Sequence, residues 1–367
     1  MWFVPDLRFP EFTGEWQCKA IGKVAPLQRG FDLPTQNLVE GIYPVIYSNG
    51  ILQHHDKYKC EAPGLITGRS GTIGKFTYID SGFYWPHNTS LWVTDFCGNC
   101  PKFIYYLYQT VHIEQFSTGS GVPTLNRNDV HRYKTFVPTA IVEQEKIAKF
   151  LSILDERIAT QNKIIEDLKK LKSAIIEIEY SPKDSYHSHI GGAIVQISKR
   201  NKDNHLCNVL SVSNRQGFIK QSEQFEDRNV ASDDTSNYKI VEKNDFAYNP
   251  ARINVGSIAR LTKFETGIVS PMYICFRTKD CLLPEYLELF FESRNFFYHI
   301  QKRLEGSVRL CLSYEELCNI PIVIPSIEKQ KQVDLHLSKL AQKIDLEMKI
   351  LQFVQQQKTY LLHQMFI

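Results

Sequence analysis

PTAIVEQEKIAKFLSILDERIATQNKIIEDLKKLKSAIIEIE, residues Pro138 to Glu179, lies near the middle of a 367-residue chain and governs how the rest is read. Its apolar residues Ile147, Leu151, Leu154, Ile158, Ile165, Leu168 and Ile175 recur at steps of four and three, which is heptad spacing. Gln161 and Lys172 interrupt the seam, and Glu145, Lys146, Glu156, Arg157, Glu166, Asp167 and Lys169 take the outward positions. A helix with so narrow an apolar stripe needs a partner helix. The end of the chain supplies it: Val333, Leu337, Leu340, Ile344, Leu351, Val354, Leu361 and Met365 each lie 186 residues beyond a seam position of the first helix. The polar breaks recur at the same offset, as Glu347 and Lys358.

Such fixed-period self-similarity marks an internal duplication. The segments ahead of the helices repeat too. Gly71-Thr72-Ile73-Gly74 answers to Gly256-Ser257-Ile258-Ala259, and Ser81-Gly82 to Thr266-Gly267, both at an offset of 185. Pro101-Lys102-Phe103 answers to Pro284-Glu285-Tyr286, Gly119-Ser120 to Gly306-Ser307, and Pro138 to Pro325. The expected order is a globular domain over 1–142, a long helix over 143–180, a second domain over 181–326 and a second helix over 327–367. The polar, turn-rich SPKDSYHSHIGG at 181–192 marks the boundary.

Within the first domain, YPVIYSNGI (43–51) reads as a hairpin turning at Asn49-Gly50, and LITGRSGTIGKFTYI (65–79) as two strands around a glycine-rich turn. Pro101 is well placed as the first residue of a helix running to about His112, and Pro284 opens its counterpart, running to about Lys302. LCNIPIVIP (317–325) is read as a closing strand. The fold class is α+β, with two similar domains each followed by a long helix and the helices paired as an antiparallel coiled coil.

Composition sets limits. A net charge of +3, from 43 basic and 40 acidic side chains, is too small to argue for nucleic acid, so any basic surface is local. Met1 to Pro10 lacks the apolar core of a signal peptide, and no run approaches the roughly 20 apolar residues of a membrane span. A cytoplasmic protein is expected. Nine cysteines without framework spacing suit a reducing compartment, and Cys97-Gly-Asn-Cys100 lacks the second ligand pair of a structural zinc site. No metal is expected.

Candidate contacts follow from chemistry. A glycine-rich turn lets backbone N–H groups approach phosphate, while Arg69, Ser70, Thr72 and Lys75 add charge and hydroxyl donors. Arg69 and Arg252 suit a guanine edge, and Asn88, Asn126 and Asn254 an adenine edge. Thr89, Ser257 and Arg260 complete the candidates. The plainer reading is a tight hairpin whose glycines serve the turn and whose arginine is solvated. Gly68 to Lys75 is not a P-loop, because five residues separate Gly68 from Gly74 and Phe76 stands where Ser or Thr holds magnesium. Asn249-Pro250-Ala251-Arg252 lacks the second proline and the aromatic of an amino-methyltransferase signature.

The duplicated plan, the Thr67–Gly74 loop, the Trp85-Pro86-His87-Asn88-Thr89 turn, Gly119-Ser120 followed by Pro123-Thr124-Leu125-Asn126, and Glu143-Gln144 leading into the helix resemble the specificity subunit of Type I restriction-modification enzymes. The resemblance covers essentially the whole chain. It implies a non-catalytic DNA-reading subunit whose two target recognition domains each read half of a bipartite site. The paired helices then set the gap. It also implies methylation and restriction subunits as partners, with S-adenosylmethionine, ATP and Mg on those subunits and no cofactor here. Asn254-Val255-Gly256-Ser257 and Ser270-Pro271-Met272-Tyr273 depart from the first domain's loops, so the two domains should read different sequences. A self-contained DNA methyltransferase or nuclease with a recognition domain is the alternative, opposed by the missing motifs. A coiled-coil adaptor that never meets DNA is a third reading.

The polar seam residues suggest how the helices pair. An antiparallel register whose facing residue numbers add to 519 sets Lys172 against Glu347 and Gln161 against Lys358, and stacks Ile158 on Leu361, Ile165 on Val354, Leu168 on Leu351 and Ile175 on Ile344. A register adding to 512 sets those charges against apolar partners.

Overall fold

Tyr43–Tyr47 and Gly50–His55 pair antiparallel as a hairpin turning at Ser48-Asn49, where Gly50 takes a φ of 108° that a side chain would strain. In the computed structural model, which describes residues 4–119, 121, 123–181, 188–214, 216–224, 234–304 and 310–366, this hairpin belongs to a four-stranded sheet. Its order is 50–55, 43–47, 83–86, 60–61, with 43–47 parallel to 83–86. A second sheet, ordered 27–29, 90–93, 64–68, 76–79, is antiparallel throughout. Beneath it lies the helix Pro101–Thr110, whose Phe103, Ile104, Tyr106, Leu107 and Tyr108 are buried together with Leu65, Leu91 and Val93.

The second unit repeats both sheets strand for strand. One is ordered 217–220, 209–213, 266–269, 239–242, with 209–213 parallel to 266–269; the other is ordered 194–197, 274–278, 246–248, 258–260. Among the described residues each unit thus carries one parallel strand pair at the same place, which independent α+β folds have no reason to share. Strands 27–29 and 194–197 begin 167 residues apart, whereas 83–86 and 266–269 begin 183 apart, so the second unit holds extra chain between 220 and 239.

The ladders correct three expectations. Gly74 and Gly256, at φ 84° and 88°, each stand two residues before an equivalent strand, so Gly256 matches Gly74 rather than Gly71. The expected helix from Pro284 is two, Pro284–Phe291 and Arg294–Arg303, because the Ser293 hydroxyl accepts the Phe296 N–H and starts a new helix. Of the expected closing strand 317–325, Leu317 and Cys318 end the helix Tyr314–Cys318, and among the described residues the segment's one bridge is that of Pro321 to His189. Ser120, Gly306, Ser307 and residues 182–187 of the polar boundary stretch lie outside the described residues.

By their contacts, residues 1–162 with 349–367 form one unit and 163–348 the other. The long helices are Ile141–Glu179 and Ile327–Phe366. In the first unit Ile147, Leu151 and Leu154 share a core with Leu361, Met365 and Phe366, and Asp155 pairs with Lys358 at 2.6 Å. In the second, Ile176 and Tyr180 share a core with Val333 and Leu337, and Glu179 pairs with Lys329 at 3.0 Å. The start of each helix meets the end of the other, so they run antiparallel.

These ion pairs overturn the 519 register. Asp155 with Lys358, and Glu179 with Lys329, have numbers adding to 513 and 508, on either side of 512. A shift of eleven residues is about 16 Å along a helix, beyond the reach of a lysine and a glutamate. Lys172 also bonds Glu292 at 2.6 Å instead of Glu347, which pairs with Lys343. Long cationic side chains leave a seam and find carboxylates beside it, so the matching of polar seam residues does not set this register. Leu154, Ile165, Ile344, Glu347, Val354 and Leu361 are buried, while Ile158, Leu168, Lys172 and Leu351 are half-buried. Toward its end the first helix buries Ile176 in preference to Ile175, the drift expected where a 3.6-residue turn meets a 3.5-residue repeat.

Candidate nucleic-acid interface

Three loops converge at one end of the first unit: 48–49, 69–75 and 87–89. The Arg69 N–H donates to the Thr89 carbonyl at 2.9 Å, and the Ser48 N–H to the Thr89 hydroxyl at 3.3 Å. The glycine-rich loop folds tightly over Gly68, where a Cβ would stand 1.8 Å from the Thr72 carbonyl oxygen. A fourth segment closes the group. The Leu125 N–H donates to the Arg69 carbonyl at 2.8 Å, the Gly71 N–H to that of Pro123 at 3.1 Å, and Ser70 bridges to Thr124.

Arg29, Asp32, Arg69, Thr124, Asn126 and Arg127 line a cleft of about 670 Å³ among these loops. Arg69 and Arg127 make no side-chain hydrogen bond or ion pair with a described residue, leaving two guanidinium groups uncommitted beside a polar opening. Thr72 and Lys75 are exposed, and Ser70 is half-buried. Asn88 donates its side-chain amide N–H to Asp32, while its backbone carbonyl accepts from Arg29 Nε at 3.4 Å. Asn126 is the N-cap of the helix Arg127–Arg132, its Oδ1 accepting the Asn128 N–H at 3.0 Å. Thr89 Oγ1 lies 3.0 Å from Nδ1 of His87, whose ring packs on Tyr47 with centroids 4.2 Å apart. Burial holds the His87 imidazole below its ordinary pKa, and nearby Arg29 pushes the same way.

The second unit assembles the equivalent loops 249–257 and 270–273 beside Asn214 and Gln216. Arg252 is exposed, makes no side-chain hydrogen bond or ion pair with a described residue, and shares a cleft of about 290 Å³ with Gln221, Asn249, Ser270, Met272 and Tyr273. Asn254 is half-buried in the turn Ile253–Val255. Two candidates serve the fold. Ser257 is 5% exposed and donates its hydroxyl to the Val212 carbonyl at 3.2 Å. Arg260 is bound by Glu285, Glu288 and Asn244, so its charge is spent inside the unit. Asn249, half of the incomplete methyltransferase signature, turns its Oδ1 onto the Ala251 N–H at 3.1 Å, a local turn.

Arg29, Asp32 and Arg127 were not among the sequence candidates. Arg127 was within reach, being next to Asn126. Arg29 and Asp32 lie about 40 residues before Arg69, and only the pairing of 27–29 with 90–93 brings them to the cleft. Among the described residues no helix is long and apolar enough to cross a membrane, and no group of three or more His, Cys, Asp or Glu is arranged to hold a metal ion.

Residues 13–170 match the family described as Type I restriction modification DNA specificity domain. A comparison with curated proteins gives no match. Among solved structures, the chain is similar to the S subunit of a Type-I restriction-modification system from M. genitalium, with a TM-score of 0.63 and 17% identity over 100% of this chain and 99% of that one. It is also similar to a chain from a structure concerned with complex assembly and conformational transition of the type I R-M system, with a TM-score of 0.56 and 13% identity over 95% and 96%. At these identities the likeness is one of fold, and it spans both units and both long helices.

Proposed function

We propose, for a chain whose residues 13–170 match the family described as Type I restriction modification DNA specificity domain, that it is the DNA-recognition subunit of such a system, each unit reading one half of a bipartite duplex site. The observation that carries this is the doubled loop cluster. Two units with identical strand order gather the same three loops, and in each an arginine without a side-chain partner among the described residues, Arg69 or Arg252, stands in the corresponding loop beside a polar cleft. Free guanidinium groups suit the O6 and N7 acceptors of guanine or a phosphate, and different neighbours in the two clefts give different half-sequences. Residues 1–142 and 181–326 are the recognition domains; 143–180 and 327–367 are the spacers that set the gap.

Arg69, Ser70, Thr72, Lys75, Asn88, Thr89 and Asn126 remain the first domain's contact set, with Arg127 added. Arg252 and Asn254 remain the second's. The chain is non-catalytic and works in the cytoplasm with methylation and restriction subunits, on which S-adenosylmethionine, ATP and Mg act. Binding of the full chain to duplex DNA across a salt series tests the reading. Arg69→Ala lowers the salt slope by about one if the guanidinium meets phosphate, and costs about 1–3 kcal/mol on the cognate duplex if it meets a base edge. Binding unchanged in both respects contradicts it.

A further inference from the structure

We infer that Asp32 is a specificity-determining positioning residue, which holds Asn88 in the orientation that reads an adenine edge; this rests on the reading of the first cleft given above. A carboxylate only accepts hydrogen bonds, so the Asn88 atom facing Asp32 Oδ1 is its amide nitrogen, and the amide cannot flip without setting oxygen against oxygen. Among the described residues, nothing bonds the second amide N–H or the side-chain oxygen Oδ1 of Asn88. These are the donor and acceptor that adenine N7 and N6 require together.

Arg29 completes the frame. Its Nη2 lies 3.2 Å from Asp32 Oδ1 and its Nε donates to the backbone carbonyl of Asn88 at 3.4 Å, so the guanidinium ties the Asp32 carboxylate to the Asn88 main chain and leaves the carboxamide oxygen unused. The Asp32 carboxylate also lies in a cleft lined by Arg29, Arg69 and Arg127. A fixed negative charge there repels phosphate and favours an approaching base edge that carries an amino group. The other first-unit candidate for adenine, Asn126, already spends its oxygen on a helix cap. Folding does not explain Asp32, because its side chain is 70% exposed and its removal buries no unpaired group.

Methylation mapping in cells carrying the full chain with its modification subunits tests the inference. With Asp32→Ala, discrimination at one A·T position of one half-site falls about tenfold while the other half-site is unchanged. Asn88→Ala relaxes the same position. Asp32→Asn, which keeps an acceptor for the Asn88 amide, retains the preference. The inference is overturned if Asp32→Ala leaves every position as selective as before, if Asp32→Ala and Asn88→Ala relax different positions, or if Asp32→Asn relaxes the position as fully as Asp32→Ala. Arg69→Ala in the same assay separates the two levels. If it alters one half-site and Asp32→Ala does not, only the role of Asp32 falls. If it alters neither half-site, the reading of the cleft falls with it.

Discussion

Gln330 does in the second unit what Gln144 does in the first. Each carboxamide oxygen accepts the N–H of the residue preceding a helix-opening proline, Cys100 at 2.9 Å and Leu283 at 2.8 Å, and each nitrogen donates to a proline carbonyl, Pro138 or Pro325, at 2.9 Å. Each thus ties the start of a long helix to the start of the short helix under its sheet. Both are buried, at 2% and 0% exposure, so truncation leaves backbone groups without partners. Gln144→Ala and Gln330→Ala should each cost about 2 kcal/mol, measured by denaturant unfolding. A loss at only one of the two sites would break the equivalence.

Asp155 joins a second arrangement that depends on the register of the helices. It accepts from the Tyr106 hydroxyl at 2.7 Å and pairs with Lys358, whose ammonium lies 5.6 Å from the centre of the Tyr106 ring. A double-mutant cycle of Asp155→Asn with Lys358→Gln should give a coupling of about 1 kcal/mol, because the pair is partly exposed. The same cycle between Gln161 and Lys358, partners in the discarded register, should give none.

His131 sets a pH dependence. Its Nε2 accepts the Leu27 N–H at 2.8 Å, which only the neutral ring can do, and burial followed by nearby Arg127 lowers its pKa from the ordinary 6.5. A depressed basic pKa means the unfolded chain binds the proton first as pH falls. This contribution is therefore complete above pH 6.5 and is lost as pH drops through the folded value. Melting temperature followed from pH 7.5 to 5 should fall, and His131→Gln, which keeps an acceptor but does not titrate, should flatten the part due to this residue.

Arg260 separates a structural cation from a reading one. Its bonds to Glu285 and Glu288 hold two carboxylates together, and the Glu288 carboxyl is already pushed up by burial. Arg260→Ala should cost about 2 kcal/mol of stability and leave DNA preference unchanged in the folded fraction. A changed half-site with unchanged stability would return Arg260 to the contact surface.

The duplication and the long helices were legible because heptad spacing and a constant offset are local, countable signals, and the antiparallel sense because a parallel pairing at that offset sets Lys172 against Lys358. Register was not. It was inferred from Lys172, Lys358 and Glu347 as if each stayed in the seam, whereas Lys172 reaches Glu292 and Lys358 reaches Asp155, both outside it. The site was legible in part. Arg69 and Asn88 stood out as polar residues in turn-rich loops, but Arg260 has the same composition cue and points to carboxylates 25 and 28 residues away. Asp32 carried no cue, since its meaning depends on a strand pairing that no local pattern records.

The central claim is that two equivalent units each read their own half of one site. Genome methylation mapping of cells expressing the full chain with its modification subunits, in wild-type, Arg69→Ala and Arg252→Ala forms, tests it most directly. The account predicts a bipartite asymmetric motif in which Arg69→Ala alters or weakens one half only and Arg252→Ala the other half only. An undivided motif, or both substitutions changing the same half, would contradict it.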